Sequence, residues 1–267
     1  MKKLAKRGLS LVLALVMCLG ILGGISLPEA EAASYTYNWG TRGDVADETD
    51  FTRSTAEEWY AKYNTSYAQL SALSGSATNS SVPSSELYTK LRSLMRGAAS
   101  STTSYDGTKS LFTYTDCENS SGNISSFYSG TNLGNSWNGS WNREHTWPNS
   151  KGDANGSGEN DIFMLRPTAT EENSKRGNEA YGEGGSYYNP NSESGGKYDL
   201  RGDVVRIMLF VYVRWQSISN GGGVLFGSDG VLENKEVMLK WLKEDPVDTW
   251  ELGRNDACQS ITGTRNV

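Results

Sequence analysis

The sequence predicts an α+β fold with more helix than strand, on three observations. Amphipathic segments with capping residues recur along the chain, the strand-like runs are short, and long Ser-, Gly- and Asn-rich stretches separate them. No internal repeat is visible, and the length suits a single packed domain after a short leader.

Residues 1–32 read as a secretory signal peptide. A basic start (Lys2, Lys3, Lys6, Arg7) precedes an apolar run from Leu9 to Leu27, and Ala30-Glu31-Ala32 supplies an A-x-A cleavage pattern. Met17 stands where lipoprotein processing at Cys18 requires a small residue, so no lipid anchor is expected. Removing the leader takes away four basic and two acidic residues and moves the formal net charge from −6 to −8. That acidity argues against a broadly basic nucleic-acid-binding face and is silent on a local cluster inside a cleft. No later stretch is long and apolar enough to span a bilayer. The exported chain is therefore expected to be a monomer without stable membrane association. Two cysteines remain, Cys117 and Cys258. A disulfide between them suits an exported protein, and two free buried thiols fit nearly as well. No C-x-x-C occurs, so a thiolate zinc site has no support.

Residues 33–84 form a Ser/Tyr-rich extension with one amphipathic helix. Ser54-Thr-Ala-Glu57 has the form of a capping box and opens "STAEEWYAKYNTSY", on which Trp59, Tyr63 and Tyr67 fall at i, i+4 and i+8. "TNSSVPSS" reads as a linker. Residues 85–267 form the main domain, starting with a helix from Ser85-Glu86 to Arg96 that carries Leu87, Leu91, Leu94 and Met95 on one face. "SLFTYT" and "ISSFYSG" are short strand candidates, and "DIFML" is another, after the Gly/Asn-rich loop "SKGDANGSGENDIF". Pro167 should end what precedes it. Thr168-Ala-Thr-Glu171 offers a second capping box for a short helix from Ala169 to Arg176, with Gly177 placed to stop it. "GDVVRIMLFVYVRW" (202–215) is strand-like by β-branched content and helix-like by length. "ENKEVMLKWLKED" is amphipathic, and Asp245-Pro246 reads as an N-cap and first position of a last helix ending near Gly263.

The only histidine, His145, follows Glu144 directly in "SWNREHTWPNSKG". With an ordinary pKa of about 6.5 it is the natural base for proton transfer near neutrality. Neighbours on a regular strand point to opposite faces, so Glu144 and His145 serve one site only from a strand end or bulge. On the helix that follows, Asn173 and Arg176 share a face at i, i+3.

The order of these segments resembles the endonuclease I family of secreted and periplasmic bacterial nucleases, with its ββα-metal (His-Me finger) core. The resemblance rests on "WNREHTWPNS" (141–150), "LRPTATEENSKRGN" (165–178), "LRGDVVRIMLFVY" (200–212), "EDPVDTWELGRND…ITGTRN" (244–266) and, earlier, "YDGTKSLF…ISSFYSG". It covers roughly residues 85–267. It implies a mostly helical single domain around the ββα core, and a sequence-nonspecific endonuclease acting on DNA and RNA to leave 5′-phosphates. It assigns His145 as general base, Glu144 and Asn173 as oxygen ligands of Mg²⁺ (or Mn²⁺ or Ca²⁺), and Arg176 as a phosphate clamp, with Arg143, Lys151 and Arg166 extending the phosphate contact. The chain departs from the family at Phe163 and Met164, where many members carry a histidine. The family pattern also continues past N-R-N into an apolar-Asp ending, so by resemblance either the sequence is a fragment or the last strand is missing. Trp141, Trp147, Arg254 and Asn255 are read as packing residues.

The rival reading is an exported glycan-binding protein without catalysis. It would use the many Tyr and Trp rings against sugars and needs neither His145 nor a metal.

Overall fold

Every helix and strand that positions the histidine lies in residues 34–74, 86–97, 103–152, 158–195, 197–215 and 224–267, which the computed structural model describes. The signal segment, the linker "TNSSVPSS" and residues 153–157 of the Gly/Asn-rich loop lie outside them. Residues Tyr35–Val267 belong to one packed unit. No helix among the described residues is long and apolar enough to cross a membrane.

The centre is a ββα unit. Strand β3 (Trp141–His145) pairs antiparallel with β4 (Leu165–Ala169) in unbroken register, from Trp141 opposite Ala169 to His145 opposite Leu165. Helix α6 (Thr170–Arg176) follows at once and packs against both strands. A smaller ribbon, β1 (Ile124–Ser125) with β2 (Asn132–Gly134), joins from the side through Ser126 and Phe127. The Phe127 amide donates to the Pro167 carbonyl at 2.8 Å. The expected α+β architecture is present, with helices dominant.

Several local expectations give way to tertiary contacts. The single helix expected from Ser54 is replaced by α1 (Glu48–Arg53), α2 (Ala56–Lys62) and α3 (Tyr67–Ser74). Ser54 does not N-cap the helix that follows, because its hydroxyl donates to the Asp256 carboxylate at 2.8 Å. Tyr67 leaves the Trp59–Tyr63 stripe and is exposed on α3. The main domain's first helix is α4 (Glu86–Gly97). "SLFTYT" lies in helix α5 (Thr108–Thr115), which buries Thr108, Phe112 and Thr115 at helical spacing. Burial at that period overrides the strand propensity of its residues. In "DIFML" only Leu165 is strand. Asp161 accepts the Phe163 amide at 3.0 Å and so turns the chain instead. Pro167 sits within β4 rather than ending it, where a two-stranded ribbon tolerates the missing donor. Ala169, not Thr168, precedes α6, and no side chain caps it; Gly177 ends that helix at φ 58°, as its position suggested.

The ambiguous segment is helix α7 (Arg201–Arg214), apolar on nearly all sides and buried accordingly. Helix α8 (Lys235–Glu244) is capped by Asn234, and α9 (Thr249–Thr262) by Asp248 rather than Asp245. Asp245 instead accepts the Gly202 amide at 2.7 Å, capping the start of α7.

Residues before Ser54 dock directly on α9. Asn38 donates to the carbonyls of Thr115 and Trp250, at 3.1 and 3.2 Å. Gly40 lies so close that a Cβ there would fall 1.9 Å from the Thr249 carbonyl oxygen. The Arg42 guanidinium sits 4.0 Å from the Trp250 ring centroid. Asp256 collects Ser54, Thr55 and Arg265 on one oxygen. The Ser/Tyr-rich stretch therefore shares its packing with the last helix.

Cys117 and Cys258 are buried free thiols, which corrects the disulfide expectation. Cys117 faces the Tyr114 carbonyl at 3.5 Å, and Cys258 receives Arg254 at 3.4 Å. Burial pushes the Cys258 thiol up to about 11, so it is not a reactive thiolate. Five of the eight tryptophans, Trp59, Trp141, Trp147, Trp241 and Trp250, are core residues, so most tryptophan rings are closed to a glycan.

Candidate active site

Because β3 is regular to its last residue, Glu144 and His145 leave it on opposite faces, and their partners are disjoint. The motif is at a strand end, without a bulge at the pair.

Glu144 points inward and is 2% exposed. Its Oε1 accepts the Tyr128 hydroxyl at 2.8 Å and faces Arg176 Nε at 3.3 Å. The Tyr128 hydroxyl also meets that of Tyr181 at 2.8 Å, and the Arg176 guanidinium lies 4.8 Å from the Tyr181 ring centroid. Burial raises the Glu144 carboxyl pKa, and Arg176 and Tyr128 only partly offset this. Burial and the nearby Glu144 hold the Tyr128 phenol well above its ordinary range, so it stays a hydrogen-bond donor.

His145 ends the strand half-buried on the other face. Its Nε2 lies 3.1 Å from the Glu159 backbone carbonyl, and its ring stacks on Tyr105 with centroids 5.6 Å apart. A carbonyl only accepts, so this contact puts the proton on Nε2 and leaves the Nδ1 lone pair free to take one. Burial lowers the His145 pKa, with the Glu159 carbonyl opposing. A lowered pKa keeps the imidazole neutral, and so competent as a base, to lower pH. Any proton transfer that uses this imidazole as base, followed from pH 8 to 4.5, should therefore hold level through neutrality and fall through a midpoint below about 6.5. A profile without that fall removes His145 from the proton transfer.

On helix α6, which packs against both strands, Asn173 is half-buried, while Glu172 turns away to bond Ser126. Carboxylate and amide oxygens are donor types that suit a hard cation. Both partners of Glu144 reach Oε1, and neither Oε2 nor the Asn173 amide takes a hydrogen bond among the described residues. A buried carboxylate whose neutral form is favoured by desolvation gains most from an added positive charge.

The other sequence candidates land differently. Arg176 is buried with Nη1 on the Gly177 carbonyl and Nη2 on that of Thr146, so it braces Glu144 and the strand end instead of presenting a phosphate fork. Arg166 is buried against Asp116 at 3.0 Å and belongs to the core. Lys151 donates to the Ser228 carbonyl at 2.7 Å. Arg143 lies on the His145 face, its Nη1 on the Tyr105 carbonyl and 3.2 Å from Asp106. Arg254 and Asn255 are structural, Arg254 holding Asp116 and Asn255 the Asn266 carbonyl. Sequence reasoning missed Tyr105, Tyr128, Tyr181 and the Glu159 carbonyl, which come from distant loops. Only the tyrosines' places in "YDGTKSLF" and "ISSFYSG" and just after "KRGN" hinted at them.

Comparison with known proteins matches the sequence to a family. The sequence profile of the Endonuclease I family matches residues 83–267. An extracellular ribonuclease of Bacillus subtilis (strain 168) is 34% identical over 143 residues, covering 44% of this chain and 46% of that protein. An extracellular ribonuclease of Bacillus amyloliquefaciens is 37% identical over 136 residues, with the same coverage. The chain thus spans about half the length of the relatives it matches.

Proposed function

The chain belongs to the Endonuclease I family, and on that premise we propose that it is a secreted, divalent-metal-dependent, sequence-nonspecific endonuclease that hydrolyses DNA and RNA to leave 5′-phosphates. The observation that carries this reading is the strand end itself, where a base with its tautomer pinned follows a buried carboxylate with one oxygen to spare.

In this reading His145 Nδ1 takes the proton of the attacking water, while the Glu159 carbonyl holds the ring by Nε2. Tyr105 keeps the ring plane by stacking. Glu144 and Asn173 hold the cation, Mg²⁺ by preference and Mn²⁺ or Ca²⁺ as alternatives. When bound, that cation stabilises the charge on the phosphate and on the departing 3′ oxygen. Arg176 and Tyr128 hold the Glu144 carboxylate in place and favour its charged form against burial. Arg143, and Lys151 more remotely, supply positive charge toward the substrate. Because the nucleophile is water, no ribose 2′-hydroxyl is needed, and both nucleic acids qualify. Phosphate contacts carry no base information, so sequence preference is weak. The leader-like first 32 residues and the extracellular relatives support action outside the cell.

The test is degradation of supercoiled plasmid and of total RNA by residues 33–267, with Mg²⁺ and with excess chelator. Loss of activity in chelator and its return with Mg²⁺ is expected. Full activity in chelator would overturn the metal role.

A further inference from the structure

The His145 face of β3 also bears Trp141 and Arg143, at alternate positions along about 13 Å of strand. Tyr105 lies against two of the three, stacked on His145 and 3.4 Å from the Arg143 guanidinium carbon at its ring centroid. Trp137 stands edge-on to Trp141 at 4.7 Å. Lys109 Nζ approaches the Trp137 ring to 4.6 Å and Arg143 to 5.8 Å. Trp141 is fully buried, whereas Trp137 is 41% and Tyr105 39% exposed. The result is a ledge of two exposed rings and two cations, continuous with the base, on a chain of net charge −6.

We propose that Trp137 and Tyr105, with Lys109 and Arg143, form a subsite for an unpaired nucleotide next to the bond that is cut, its base on Trp137 and its phosphate toward Lys109. The proposal rests on the nuclease reading and adds to it a preference for single-stranded stretches. A base held in a duplex offers no free face to an aromatic ring, whereas an unpaired base of any identity does. The cations answer the charge of the backbone where the rest of the protein would repel it. Asp106 lies between them, 3.1 Å from Lys109 and 3.2 Å from Arg143, and moderates their charge.

The experiment compares binding of a fluorescent single-stranded oligonucleotide with that of its duplex, in chelator, by anisotropy, for the full exported chain and two variants. Trp137→Ala should weaken single-strand binding at least about fivefold and change duplex binding by less than about twofold. Asp106→Asn should tighten binding of both probes, a gain that a misfolded variant does not produce. Equal loss on both probes, or no loss, for Trp137→Ala would show that the ring only covers Trp141 and would overturn the stacking role. No gain from Asp106→Asn would overturn the role of the cations. Parallel cleavage assays with Mg²⁺ separate the two levels. Cleavage by wild type with binding indifferent to Trp137 sinks this proposal alone, and absence of both cleavage and binding sinks the nuclease reading with it.

Discussion

Replacing His145 with alanine is expected to lower the rate of plasmid cleavage by roughly 100- to 10,000-fold at saturating Mg²⁺, the range attributed to one positioned general base. The chain holds no second histidine to substitute for it. Its single hydrogen bond, to a loop carbonyl, and its stacking on Tyr105 are modest contributions to stability, so the melting temperature should change little. That split, large in rate and small in stability, identifies chemistry rather than packing. A loss of less than tenfold would mean that another group activates the water. Adding imidazole to the alanine variant offers a second check, since partial rescue follows only if the missing function is a proton acceptor.

Asp116→Ala should have the opposite signature, a large loss of stability with its effect on rate following from unfolding. Asp116 is fully buried and serves two arginines: Oδ1 accepts Arg166 and Arg254 at 3.0 Å each, and Oδ2 accepts Arg254 at 3.2 Å. Removing it leaves two guanidinium groups without their counter-charge in a region closed to water, a change that typically destabilises by about 3–5 kcal/mol. Chemical denaturation of wild type and variant measures it directly. A difference below about 1 kcal/mol would mean that the arginines find water or other acceptors. The pH dependence has a definite sign. Burial alone would raise the Asp116 pKa, but Arg254 and Arg166 together bring it below the ordinary carboxylate value. The stability this contributes is complete above about pH 4 and is lost as pH falls through the lower folded value.

The parts of the site that were legible in the sequence are those written in contiguous residues. Glu144-His145 and the α6 segment with Asn173 and Gly177 are local patterns with local causes, and they fall where those patterns placed them. Arg176 was legible as a site neighbour but not in its role, because only packing reveals that its nitrogens are committed to Glu144, Thr146 and Gly177. Arg166 misled for the same reason, since its partner Asp116 is fifty positions away. Capping boxes failed at Ser54 and Thr168, where a distant carboxylate and a strand pairing replaced the local bond. Short runs such as "SLFTYT" were ambiguous because few residues carry the period, and burial against the core decided it.

The docking of residues 38–55 on α9 bears on when this chain can fold. Its defining contacts join positions more than 200 residues apart, Asn38 with Trp250 and Ser54 with Asp256. Loops that long close late, and the core around Arg42 and Trp250 has no partner until α9 is present. A nascent chain therefore cannot seat residues 38–55 until α9 has been made.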